Sequence, residues 1–243
     1  GEMKLPMIVA GLGTVLNTIL DPIFIFYMKL GVAGAAWATT MSQIVVFFVF
    51  IYMLFVKRHT YVRFRLKDFS FSSYIIYDII KVGIPVSMSM VVMSVGQLVF
   101  NRLLVNFSTD AVAAYQIGVR LDMIVFLPIF GIASALTTII GMFYGAKEFD
   151  KIKSISFYGI KSSLLITSIS SVFLFIFAPS VVKIFTADLQ IQNISIDYLR
   201  IMSLMFPFIS VGLTIGRILQ GLGRGMPSLI ITIVRVIGLA GPL

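Results

Sequence analysis

The chain has 243 residues, of which 59% are hydrophobic and only 12% charged, with a mean hydropathy of +1.04. Soluble domains carry about 25% charged residues, so a soluble globular fold is excluded, and a β-barrel is excluded because its alternating segments of ~10 residues are absent. The net charge of +9 is not a nucleic-acid signature: the basic residues gather in loops on one side of the apolar runs, as the positive-inside rule requires. No cysteine is present, which removes disulfides and thiolate metal sites.

Seven apolar segments follow in chain order, and the fold class they predict is all-α, a polytopic membrane protein. Segment A covers about 5–28 and B about 31–56. C covers about 75–105, D about 111–145, E about 155–185, F about 196–220, and G runs from about 227 to the end. Gly1-Glu2-Met3-Lys4 leads straight into a full-length span, so no cleavable signal peptide is expected. C, D and E exceed the ~20 residues of one crossing, so each should include an interfacial or cytoplasmic extension. Tyr74, Tyr77 and Lys81 suit an amphipathic lead-in to C at the membrane surface.

Orientation is read from the loops. Lys57, Arg58, Arg63, Arg65 and Lys67 follow B, Lys147, Lys151 and Lys153 lie between D and E, and Arg217 and Arg224 flank the F–G junction. The loop at 106–110 has no Lys or Arg, and 186–198 carries Asp188 and Asp197 instead. The basic loops are therefore expected in the cytoplasm, with the protein multi-pass in the plasma (inner) membrane. Glycosylation-like triplets at Asn106 and Asn193 fall in the loops expected outside. His59 sits in a basic loop and is read as solvated, and GLGRG at 221–225 follows a membrane helix, so it is read as a tight turn rather than a phosphate loop.

Segment A contains NTILDPIFIF at 17–26, and Asp21 is the only acid in the run. An aspartate at a helix centre costs roughly 2.5–3.5 kcal/mol on insertion scales, so a functional role is the default reading. Asn17 lies one turn before Asp21 and Thr14 three residues before Asn17, spacings that share a helical face. The Asn17 amide oxygen suits a sodium ion, and the amide can equally hydrogen-bond a carboxyl that gains and loses a proton. Pro22 withholds an N–H and loosens the backbone beside Asp21. The plain alternative is a structural carboxylate near the interface.

Thr39 and Gln43, one turn apart on B, are candidates to line a substrate cavity, and interhelical hydrogen bonding explains them equally well. Arg120 and Asp122 in D do not face each other on a helix, so each is expected to find its partner elsewhere and to serve conformation. Arg235 sits inside G. The 13 methionines and 22 phenylalanines suit a cavity for varied greasy cations, although most must face lipid or core.

The two ends repeat. GEMKLPMIVAGLGTVLNTILDPI opens the chain and GRGMPSLIITIVRVIGLAGPL closes it, with Pro6 and Pro227 in register 221 residues apart (227 − 6). Six segments separate the two starts, so both copies enter from the same side, as in transporters with parallel repeats. The chain is thus expected to be about one period of a longer protein, cut out of frame.

NTILDPIFIF followed by GVAGAAWATTMSQ resembles the fifth and sixth helices of the multidrug and toxic compound extrusion (MATE) transporters. AAYQIGVRLDMIVFLPIFGIASALTTIIGMFYGA resembles their eighth helix, and PFISVGLTIGRILQGLGRGMPS their tenth. The resemblance implies about seven helices of a twelve-helix, two-lobe transporter. Residues 1–56 would be the last two helices of the N-terminal lobe, 57–73 a basic cytoplasmic linker, and 74–243 a C-terminal lobe incomplete at its end. Some members hold the coupling cation with an Asn-x-x-x-Asp pair on helix five, which Asn17 and Asp21 match. Others use acids on helices seven and ten. Here GIPVSMSMVVMSVGQLVF and LMFPFISVGLTIGRILQ contain none, so the chain is closer to the DinF-like branch than to the NorM-like one.

The implied function is antiport, driven by H⁺ or Na⁺ and exporting lipophilic or cationic compounds by alternating access. No further cofactor, nucleic acid or metal is expected, and a monomer is. A lipid-linked sugar or lipid flippase of related fold is the alternative. An intramembrane enzyme lacks a nucleophile–base set or paired aspartates, and a scaffold has little use for a carboxylate at depth.

Overall fold

The computed structural model of the chain describes residues 4–55 and 71–240. Its elements among those residues are all helical, in the order α1 (Lys4–Pro22), a π-helical turn (Ile23–Tyr27), α2 (Gly31–Phe55), α3 (Ser73–Phe107), α4 (Thr109–Gly145), α5 (Phe149–Val182), α6 (Leu189–Gly221) and α7 (Gly225–Ala240). Six stretches are long and apolar enough to cross a membrane, the first of them α1 continued by the π turn, and α7 contributes a shorter apolar stretch, Gly225–Val234. The basic residues Lys57, Arg58, Arg63, Arg65 and Lys67 and the lone His59 lie outside the described residues, as does the side chain of Arg235.

The chain divides into two compact units, Gly1–Phe71 and Ser72–Leu243. In the first, α1 and α2 pack side by side. Gly13 is buried where any side chain would strike Val46. A Cβ on Gly34 would lie 2.6 Å from the backbone carbonyl of Phe24 in the π turn. Small residues at these crossings let the helix backbones approach, which is how helices gain dispersion contact where lipid supplies no hydrophobic drive.

In the second unit α4, α5 and α6 pack on one another, and α3 pairs with α7. The buried positions of α4 are Ala114, Gly118, Leu121, Val125, Ile129, Ala133, Leu136 and Ile140. Those of α6 are Gln192, Ser195, Leu199, Ser203, Phe206, Ser210, Thr214 and Ile218. Both sets step by three and four, the seam of helices that wrap one another. Three apolar clusters fill it, built around Leu121 and Leu199, around Val125, Leu174 and Phe206, and around Leu136, Ile140 and Ile218. Hydroxyls bridge the three helices: Thr167 of α5 and Ser210 of α6 lie 2.9 Å apart, Thr214 of α6 donates to Ser163 of α5 at 3.0 Å, and Thr137 of α4 donates to the Arg217 carbonyl of α6 at 3.1 Å.

Several boundaries depart from the sequence reading. α5 starts at Phe149 rather than near 155, and α6 at Leu189 rather than near 196. The carboxylate of Asp188 accepts from the Gln190 and Ile191 amides, a helix cap that draws 189–198 out of the expected loop. Asn193 is therefore helical, and Asn106 lies in the last turn of α3. Ser108 alone separates α3 from α4, its hydroxyl accepting from the Ala111 amide. Tyr74, Tyr77 and Lys81 are the first turns of α3 itself rather than a distinct surface segment, with Lys81 over the Tyr77 ring. The turn at 222–224 is tight, as read, and Gly223 adopts φ +74°, which favours glycine. Pro6 and Pro227 each occupy the third residue of their helix, in the first turn, where a missing N–H is tolerated.

Gly34→Val should force α2 away from the π turn and lower the stability of the full-length gene product in detergent by about 1–3 kcal/mol. A thermal melt reads this, and an unchanged midpoint would show that the backbones can separate freely. Thr167→Val should cost about 0.6 kcal/mol, typical of an interhelical hydrogen bond in a membrane.

Candidate functional site

The apolar run of α1 ends in polar residues. Asn17 and Asp21 are both half-buried, and the Asn17 amide donates to the Thr39 hydroxyl of α2 at 3.4 Å. The Thr39 hydroxyl in turn donates to the Ala35 carbonyl at 3.0 Å. The sequence-predicted residues Asn17 and Thr39 are thus brought together across the α1–α2 interface. Thr14 is not: its exposed hydroxyl turns back to the Ala10 carbonyl at 3.1 Å, the common local bond of threonine in a helix. Gln43 is exposed on α2, one turn beyond Thr39.

Asp21 makes no hydrogen bond or ion pair among the described residues. The helix changes immediately after it. Pro22 has no N–H to return to the Thr18 carbonyl, and the next residues widen into the π turn, where the Met28 amide donates to the Ile23 carbonyl at 2.9 Å and the Leu30 amide to the Phe24 carbonyl at 3.1 Å. Such widened turns are frequent at functional sites. The loosening expected from Pro22 takes this concrete form.

In the second unit Arg120 and Asp122 do not pair. Arg120 is exposed on α4, and Asp122 accepts a hydrogen bond from the Tyr198 hydroxyl of α6 at 2.9 Å. A side chain on Gly118, one turn before Asp122, would strike the Tyr198 ring, so the glycine makes the space in which the phenol crosses α4. Tyr115 stands edge-on to Tyr198 with centroids 5.7 Å apart and tilts against Phe100 of α3 at 5.0 Å. Tyr198 was not singled out from sequence. The only local signal was the glycine four residues before the acid, and the partner lies 76 residues away. No group of three or more His, Cys, Asp or Glu side chains able to hold a metal occurs among the described residues.

These features define the class: a polytopic helical membrane protein with ionisable side chains placed inside apolar helices. The MatE family profile matches residues 85–243, and the chain belongs to the MATE family. It is 32% identical over 240 residues to the probable multidrug resistance protein NorM of Thermotoga maritima, an alignment that covers 97% of this chain and 51% of that protein. A crystal structure of MATE in the straight conformation superposes with a TM-score of 0.91 at 37% identity, covering 96% of this chain and 52% of the other. The outward-facing conformation of a multidrug resistance MATE family transporter of the MOP superfamily gives 0.91 at 36% identity, with coverage of 95% and 52%. The chain thus spans about half the length of the relatives it matches.

Tyr198→Phe removes the one hydrogen bond that Asp122 receives among the described residues. It should lower stability by about 1–3 kcal/mol, the cost of leaving a buried acceptor unsatisfied, whereas Arg120→Gln should stay within about 0.5 kcal/mol. Paired melts of the two variants check the contrast.

Proposed function

We propose that the chain is part of a secondary active antiporter, driven by H⁺ or Na⁺, that exports lipophilic or cationic small molecules by alternating access. The observation that carries this reading is Asp21: an acid inside an apolar helix, one turn beyond an Asn17 that α2 holds in place through Thr39. A proton or a sodium ion that neutralises a carboxylate inside an apolar helix changes the energy of the segment around it. Coupling follows only if one access state binds the ion better than the other. The π turn supplies a helix segment already departing from regular bonding beside the charge. A relative named as a probable multidrug resistance protein and an outward-facing multidrug resistance transporter of similar structure support drug export through a path that opens outward.

In this reading residues 1–56 close the N-terminal lobe, 57–73 link the lobes, and 74–243 belong to the C-terminal lobe. The Lys- and Arg-rich loops face the cytoplasm, Thr14, Thr39 and Gln43 border the substrate path, and Arg120 and Asp122 serve conformation. The transporter works as a monomer, with no cofactor besides the coupling ion.

The test is efflux of a fluorescent lipophilic cation from proteoliposomes holding the full-length gene product, under an imposed H⁺ or Na⁺ gradient. Wild type should transport under one gradient, and Asp21→Asn, folded, should lose at least tenfold in rate. Equal transport by the variant removes Asp21 from coupling. No cation transport under either gradient would favour the flippase reading.

A further inference from the structure

We infer that Asp122 is a second proton-binding carboxyl within the membrane, held by Tyr198 in the unit Ser72–Leu243 and independent of Asp21. Asp122 lies 13 residues into α4, about 20 Å along the helix at 1.5 Å per residue, well inside an apolar span. One carboxylate oxygen receives the Tyr198 hydroxyl at 2.9 Å. The other is fully buried and receives no hydrogen bond among the described residues. Its surroundings are apolar or aromatic: Leu121 and Val125 are buried on the same helix, the Tyr198 ring covers Gly118, and Tyr115 and Phe100 extend the aromatic wall. Asn101, beside Phe100 on α3, also buries an amide oxygen without a donor.

Among the described residues no cation pairs with the acid. The charged residues nearest this level, Arg102 on α3, Arg120 on α4, and Asp197 and Arg200 on α6, are exposed. α5 has no charged residue between Lys161 and Lys183. The titratable groups that do face Asp122 are the phenols of Tyr198 and Tyr115. A buried carboxylate with a single donor and no counter-charge is unfavourable, and such groups are neutralised instead. A sodium ion requires several oxygen ligands, and the Tyr198 hydroxyl is already engaged as a donor to the carboxylate. A proton requires only the free oxygen.

The step balances simply. Hydronium transfers a proton to the free Asp122 oxygen, an O–H bond forms, water is left, and the charge goes from −1 to zero; release is the reverse. The Tyr198 bond is charge-assisted in the ionised state and weaker in the neutral one. Proton occupancy therefore sets how tightly α4 and α6 are tied at this level, with Gly118 leaving the phenol room to move.

Infrared difference spectra of the full-length gene product in proteoliposomes, at acid and alkaline pH, test this without any transport assay. The Asp21→Asn background removes Asp21 from the readout, so failure of the coupling role assigned to it leaves the result readable. A pH-dependent carboxylic-acid C=O band should remain in Asp21→Asn and disappear in Asp21→Asn/Asp122→Asn. Should the double variant not fold, Tyr198→Phe in the same background should shift that band, because its hydrogen-bond partner is gone. A band unchanged by Asp122→Asn, or by Tyr198→Phe, overturns the proposal. So does a site that is silent to pH and responds only to sodium, which would make it a metal-ion site.

Discussion

Inside hydrocarbon there is no water to satisfy a stray N–H or carbonyl, and no hydrophobic drive to press one apolar helix on another. The first condition makes every described element helical. The second makes the helices depend on close backbone approach and on hydrogen bonds between them. In the unit Ser72–Leu243 both devices occupy one seam, where small and hydroxylated residues of α5 and α6, such as Ser163, Thr167, Ser210 and Thr214, alternate with apolar ones. Hydroxyls also turn back to their own helices: Ser210 donates to the Pro207 carbonyl at 2.8 Å and Ser89 to the Pro85 carbonyl at 2.9 Å, the local bond of serine in a helix.

Asp21 and Asp122, both in apolar helices, meet this constraint differently. Asp122 is tied across helices to a phenol, in a space that only a glycine leaves open. Asp21 has no such partner among the described residues, and its helix loses regular bonding one residue later. A site built to bind and release an ion benefits from the second arrangement, because the bound ion supplies what the fold withholds. A site built to hold two helices together benefits from the first, provided its charge can be switched.

Membership of the MATE family accounts for the helical architecture and for a chain that matches about half of its relatives. It does not by itself decide which acid, if either of these two, binds an ion.

Sequence alone determined the helices, because apolar length and the turn residues between runs are local properties. It also singled out Asn17 and Asp21, since a spacing of four puts them on one face whatever surrounds them. Cap geometry extended α5 and α6 beyond the apolar runs, because capping depends on polar residues such as Asp188 that hydropathy discounts. The tertiary structure alone decided which polar groups meet. Thr14 turned inward to its own helix, Thr39 found Asn17 across an interface, and Tyr198 reached Asp122 from far along the chain. Those pairings depend on how two helices cross and rotate, and crossing is set by the whole packed seam rather than by any short stretch of residues.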